Sequence, residues 1–248
     1  MRFEITLRDP AQADAVVPLL REFGIGAVNV TDVSKEVDPV GVACRLLVAR
    51  PGLHVMTHAA AKHHDPHSYR SLLFRAEDCA SGPLLVVSGH PRQRFDTIAA
   101  LDMMAAAGGR MPAYCAYDPF KGAAGNQAEE DERLARKLSY PFVRGICMQV
   151  GMDARRVARA ADAIRSHRAD ADILASVPVP TEGMLRRLRE KPLGGIILDD
   201  AYLGAAGAAA AATKRHLAAL RECRIEPLFF MDEFSRDRIE TALSLTAD

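Results

Sequence analysis

Glu4 stands inside an apolar run, Phe3-Glu4-Ile5-Thr6-Leu7, and a carboxylate in that setting invites proton-transfer chemistry. Strand alternation puts Glu4 and Thr6 on the face opposite Phe3 and Ile5. An inward carboxylate would be partly desolvated, which disfavours its charged form and raises its pKa toward values useful to a general acid. An exposed glutamate on the rim of a first strand is the plainer reading, and alternation alone leaves both open.

Other chemistry-bearing side chains fall within or just after apolar runs: Thr31 and Asp32, Thr57 and His58, His90, Tyr117 and Asp118, Gln149, Asp232 and Glu233. The set is rich in carboxylates and hydrogen-bond donors but includes no Gly-rich phosphate cradle, so a phosphorylated substrate is not favoured. Five histidines crowd the segment from His54 to His67. His63 and His67 are four apart, a spacing that suits a metal on a helix, but Pro66 between them breaks a regular helix and no HExxH is present. The expectation is a polar loop after the third strand and no metal. Neither GxSxG nor a catalytic cysteine signature occurs, so nucleophilic catalysis has little support. Ser88-Gly89-His90-Pro91 marks a tight turn in which His90 either donates to a ligand or caps the next helix.

These residues need elements to hold them. Short apolar strands are expected at Phe3–Leu7, Ala27–Val30, Leu53–Thr57, Leu84–Val87, Ala113–Ala116, Gly145–Val150, Ile173–Val177 and Glu226–Met231. Amphipathic helices are expected between them, among them Ala11–Glu22, Arg94–Ala107, Ala128–Leu138, Ala154–Ser166 and Gly204–Cys223. Continuous apolar strands such as Leu84-Leu85-Val86-Val87 suit a parallel sheet buried on both faces. Eight β/α units in 248 residues suit one TIM-type (β/α)8 barrel over residues 1–248, with its site at the carboxyl ends of the strands. A ninth strand candidate, Gly195–Leu198, complicates the count. An open doubly wound sheet is the alternative, but no GxGxxG follows the first strand. The Ala-rich run Ala205–Ala212 reads as a packed helix.

Bulk properties narrow the class further. Lys plus Arg and Asp plus Glu are 32 each, so no net field draws the chain to nucleic acid or a membrane surface. Hydrophobic residues make up 49% of the chain, yet no apolar run approaches the roughly 20 residues of a membrane span. The opening MRFEITLRDP reads as a strand and turn, not a signal peptide. Five scattered cysteines, odd in number and never CxxC, suggest reduced thiols and a cytoplasmic location.

Taken in order, the strand-end residues resemble those of the methylenetetrahydrofolate reductases. Phe3-Glu4 resembles that family's opening pair, His54-Val55-Met56-Thr57 its His-Leu-Thr-Cys strand, and Ala116-Tyr117 followed by Arg136-Lys137 its flavin-holding fifth strand and helix. Gln149 with Asp153 resembles its Gln-Phe-Phe-Phe-Asp segment, and Ser176-Val177-Pro178-Val179 its Ile-Leu-Pro-Val segment. The resemblance implies a β/α barrel reducing 5,10-methylenetetrahydrofolate to 5-methyltetrahydrofolate, with Glu4 as general acid. Expected substrate contacts are Gln149, Thr57, His58 and Asp232; expected cofactor contacts are His90, Tyr117, Arg136, Lys137 and Thr31. Departures fall mainly on the flavin side: Ser88-Gly89-His90 replaces Arg-Gly-Asp, Lys121 replaces a histidine, and Val150-Gly151-Met152 replaces three aromatics. FAD binding is therefore expected to be weakened or lost, with NADH or NADPH giving hydride directly. A folate-dependent methyl-transfer or demethylation component and a non-catalytic folate-binding barrel are the alternatives. A homo-oligomer is compatible with all three.

Overall fold

The computed structural model describes residues 1–7, 11–32, 38–88, 95–121, 126–190, 198 and 200–247. Eight parallel strands close into a barrel in sequence order: β1 (Arg2–Ile5), β2 (Ala27–Val30), β3 (His54–Ala60), β4 (Leu84–Val87), β5 (Ala113–Tyr117), β6 (Val143–Met148), β7 (Asp172–Pro178) and β8 (Glu226–Phe230). The barrel expected from the alternating pattern is the fold observed. The ninth strand candidate, Gly195–Leu198, lies outside the described residues apart from Leu198.

Helices follow the strands: α1 (Gln12–Glu22), α2 (Pro39–Ala49), α3 (Pro66–Asp78), α4 (Thr97–Ala106), α5 (Gln127–Ser139), α6 (Ala154–His167), α7 (Glu182–Glu190), α8 (Asp200–Leu203), α9 (Ala206–Glu222) and α10 (Arg236–Thr246). Side-chain caps fix several of their starts. Asp96 accepts from Ala99 N, and Asp153 accepts from Arg155 N and Arg156 N. Asp65 and Ser68 form a reciprocal capping box, with Pro66 in the first turn. The histidine-rich segment is thus strand through Ala60, one 3-10 turn over Ala61–His63, then a capped helix, and not the expected polar loop. The Ala-rich run packs as expected: Ala209, Ala212, Leu217 and Leu220 of α9 are buried.

The chain divides into two compact units, residues 2–116 with 136–145, and residue 1 with 117–135 and 146–248. In the first unit, strand register sets which side chains share a face. Glu4 pairs with Asn29, Asn29 with Met56, and His58 with Leu85, so these residues point one way. Phe3, Ile5, Val28, Val30 and Thr57 point the other way and are fully buried. Glu4 and His58 come together although β2 separates their strands, and side chains of non-adjacent strands converge only on the concave, axial face of a curled sheet. The apolar set therefore packs outward beneath the helices, where α1 presents Val16, Val17 and Leu20. Each such side chain contributes roughly 1.5–3 kcal/mol on burial.

One expectation about cysteine does not hold. Cys44 of α2 and Cys79, the C-cap of α3, form a disulfide with Cα atoms 5.8 Å apart. Sequence spacing gave no hint because the pairing depends on two helices being neighbours in space. Cys115 and Cys147 are buried thiols outside the disulfide, small apolar side chains of the strands, and Cys223 is a partly exposed thiol.

Candidate active site

Glu4 sits near the middle of β1 with only 21% of its side chain exposed. Burial pushes its carboxyl pKa up from 4.5 to about 7. His58 Nε2 lies 4.0 Å from Glu4 Oε2 and 2.6 Å from Asn29 Nδ2. Burial pushes the imidazole down from 6.5 to about 4, and the negative charge of Asp32 opposes that shift without reversing it. His58 is neutral at pH 7, so its contact with Glu4 is not an ion pair. The hydrogen bond with the Asn29 side chain ties the imidazole to β2. The carboxyl thus faces a neutral ring that adds no positive charge to hold it ionised.

Around this trio, polar groups tie the strand ends together. Thr31 donates through its hydroxyl to Ile5 O at 3.3 Å and to Thr6 Oγ1 at 3.1 Å. Asp32 Oδ2 accepts from Ala60 N at 2.9 Å and lies 3.5 Å from His64 Nε2. These bonds fix β1 to β2, and β2 to the end of β3, and so set where Glu4 and His58 stand.

Several residues nominated by sequence do not join this group. Thr57 is fully buried but faces the helix layer, because adjacent strand residues point to opposite faces and His58 takes the axial one. Among the described residues its Oγ1 has no hydrogen-bond partner. Arg136 is an exposed side chain ion-paired with Asp102 of α4 at 3.2 Å. Lys137 is buried and donates through Nζ to Ala116 O at 2.7 Å, satisfying a strand carbonyl. Thr31 is spent on backbone and hydroxyl acceptors. His90 lies outside the described residues.

The second unit holds the remaining nominees. Tyr117 is buried; its hydroxyl donates to Asp131 Oδ1 at 2.7 Å and accepts from Gln127 Nε2 at 3.2 Å. Lys121 pairs with buried Glu130 at 3.0 Å. Gln149 is exposed, and its side-chain oxygen accepts from the neighbouring Val150 N at 3.3 Å. Asp232 pairs with Arg238 at 3.2 Å and accepts from Thr181 at 3.4 Å, while the Thr181 hydroxyl also accepts from Met184 N at the start of α7. Among the described residues no group of three His, Cys, Asp or Glu side chains is placed to hold a metal ion.

Asn29 is the member of the Glu4 group that the sequence concealed. A neutral amide in the apolar stretch Ala27-Val28-Asn29-Val30 carries no catalytic signature. The available signal was its position: a polar residue in the interior of a short buried strand demands a partner.

No protein-family model matches the chain, and no curated protein matches it in sequence. Solved structures do match in fold. A protein from Clostridium thermocellum whose structure binds two copies of 5-methyl-5,6,7,8-tetrahydrofolic acid superposes with TM-score 0.70 at 9% identity, over 98% of this chain and 92% of that one. The coenzyme F420-dependent tetrahydromethanopterin reductase from Methanopyrus kandleri superposes with TM-score 0.64 at 8% identity, over 99% of this chain and 97% of that one. At such identities the likeness is one of fold.

Proposed function

We propose that the chain is a divergent methylenetetrahydrofolate reductase, reducing 5,10-methylenetetrahydrofolate to 5-methyltetrahydrofolate with hydride from NADH or NADPH and Glu4 as the general acid. The observation that carries this reading is the Glu4 carboxyl, raised to about 7 on the axial face of β1 beside a neutral His58. The two structural neighbours support the substrate class, since one binds 5-methyl-5,6,7,8-tetrahydrofolic acid and the other is a tetrahydromethanopterin reductase.

The chemistry needs one proton and one hydride. Opening the methylene bridge requires a proton on the departing ring nitrogen, and leaves an electrophilic iminium carbon. The nicotinamide co-substrate supplies two electrons as hydride, which turns that carbon into the methyl group. A carboxyl with a pKa of about 7 is half protonated at neutral pH, so it can give the proton and regain one from water through its exposed fifth. Neutral His58 leaves that proton on Glu4. Residues assigned to flavin by the resemblance do not fit that group: Tyr117, Arg136 and Lys137 are all engaged elsewhere.

The test is to mix the purified protein with methylenetetrahydrofolate and NADH, NADPH or a reduced deazaflavin, the last because one neighbour uses coenzyme F420. Donor oxidation matched by 5-methyltetrahydrofolate, from a protein lacking the flavin band near ~450 nm, is the expected result. Folate binding with no donor oxidised would leave a folate-binding barrel. Methyl transfer without donor oxidation would leave a methyl-transfer component. Absence of folate binding overturns all three.

A further inference from the structure

In the second unit, α5 and α6 flank a cavity of about 330 Å³. That volume is at the lower end of the roughly 300–1,000 Å³ typical of small-molecule sites. From α6 come Arg156, Arg159, Ala160 and Ala163, which share one helix face at i, i+3, i+4 and i+7. The two alanines leave the space, and the two arginines rim it. From α5 come Gln127 and Asp131, one turn apart, and Tyr117 contributes its ring.

The two walls carry opposite charges that do not meet. Asp131 Oδ1 is held by Tyr117 Oη at 2.7 Å and Gln127 Nε2 at 2.9 Å, which fixes the carboxylate in place and leaves its second oxygen to accept. Arg156 turns to Asp153 at 3.6 Å. Among the described residues, Arg159 has no hydrogen-bond or ion-pair partner. A fixed carboxylate on the α5 wall, and a guanidinium beside two alanines on the α6 wall, describe the complement of a dipolar molecule with an apolar body.

We propose that this cavity is a second ligand site, taking an α-amino acid with an apolar side chain, its ammonium on Asp131 and its carboxylate on Arg159. The assignment is independent of the chemistry at Glu4. A simple anion would use only the arginines, and a simple amine only Asp131. Neither would use the whole cavity.

Calorimetric titration of the intact protein with L-leucine, and with its two half-molecules 4-methylpentanoate and 3-methylbutylamine, tests it. L-Leucine is expected to bind in the millimolar range or tighter, and each half-molecule at least about tenfold more weakly, since each lacks one charge-assisted contact. Arg159→Gln and Asp131→Asn should each cost a similar factor while melting as the wild type does. Ala163→Leu, which fills the space and removes no charge, should abolish binding. No heat with L-leucine overturns the proposal. So does a half-molecule that binds as well as L-leucine, or a constant unchanged in Arg159→Gln or Ala163→Leu.

Discussion

Glu4 Oε2 and His58 Nε2 lie 4.0 Å apart on the axial face of β1 and β3, yet at no pH are both groups substantially charged. The carboxyl gives up its proton near 7, whereas the imidazole gains one only near 4. Between those values both are neutral. Desolvation has pushed the two in opposite directions, and a contact that would be an ion pair in water holds a carboxylic acid against a neutral ring.

The first prediction concerns turnover. Glu4→Gln keeps the shape and hydrogen-bonding capacity of the side chain but removes its acid. Bound folate should be retained, while kcat falls by about 10²–10⁴-fold. In the wild type, kcat/KM should decline as pH rises through about 7, because the proton donor is lost there. That limb should be missing in the variant. Steady-state kinetics across pH 5–9 check it, and full turnover in Glu4→Gln would sink the assigned role.

A second prediction follows from linkage. The Glu4 carboxyl is raised from 4.5 to about 7, so its contribution to stability is fully present below 4.5 and is lost as pH rises through 7. Glu4→Gln carries no such dependence. Between pH 4.5 and 8 the stability of the variant should therefore gain on the wild type, by up to about 3 kcal/mol. His58 works with the opposite sign, its contribution being lost as pH falls from 6.5 through 4, but it is present in both proteins and largely cancels. Paired denaturant titrations at the two pH values measure the difference.

The third prediction is a thiol count. With Cys44 joined to Cys79, the unfolded chain should show three reactive thiols without reductant and five with it. The bridge closes a loop of 35 residues between α2 and α3, for which the chain-entropy model gives about 3–4 kcal/mol. Reduction, or Cys44→Ala, should lower the melting temperature accordingly. Five reactive thiols from protein handled without reductant would remove the disulfide.

Strand boundaries explain much of what sequence could and could not reveal. Leu84–Val87 is legible because four apolar residues in a row bury both faces, and Ala27–Val30 because three apolar residues frame Asn29; both match the observed strands. The third strand is expected to end at Thr57 but runs to Ala60, since Ala59 and Ala60 continue the buried run. That extension puts Thr57 and His58 on opposite faces, so two residues that look alike at a strand end part company. Asn29 stayed hidden because its significance depends on register with Glu4, which only sheet pairing supplies. Arg136 shows the same limit: its spacing after Tyr117 suggests a ligand contact, and only the fold shows that a neighbouring helix offers it Asp102.

The last prediction tests the altered segment after β6. A Cβ at Gly151 would lie 2.2 Å from the ring of Phe120, which is itself almost fully buried. The backbone there does not need positive φ, so the demand for glycine is one of space alone. Val150-Gly151-Met152 is thus small at its centre because Phe120 packs against the chain. Gly151→Ala should destabilise by about 1–3 kcal/mol, the usual cost of forcing a methyl group into a filled interior. A compensating Phe120→Leu in the same chain should recover part of that loss, since a shorter side chain withdraws from the clash. Chemical denaturation of the single and double variants measures both effects; an unchanged midpoint in Gly151→Ala would mean that the ring has somewhere else to go.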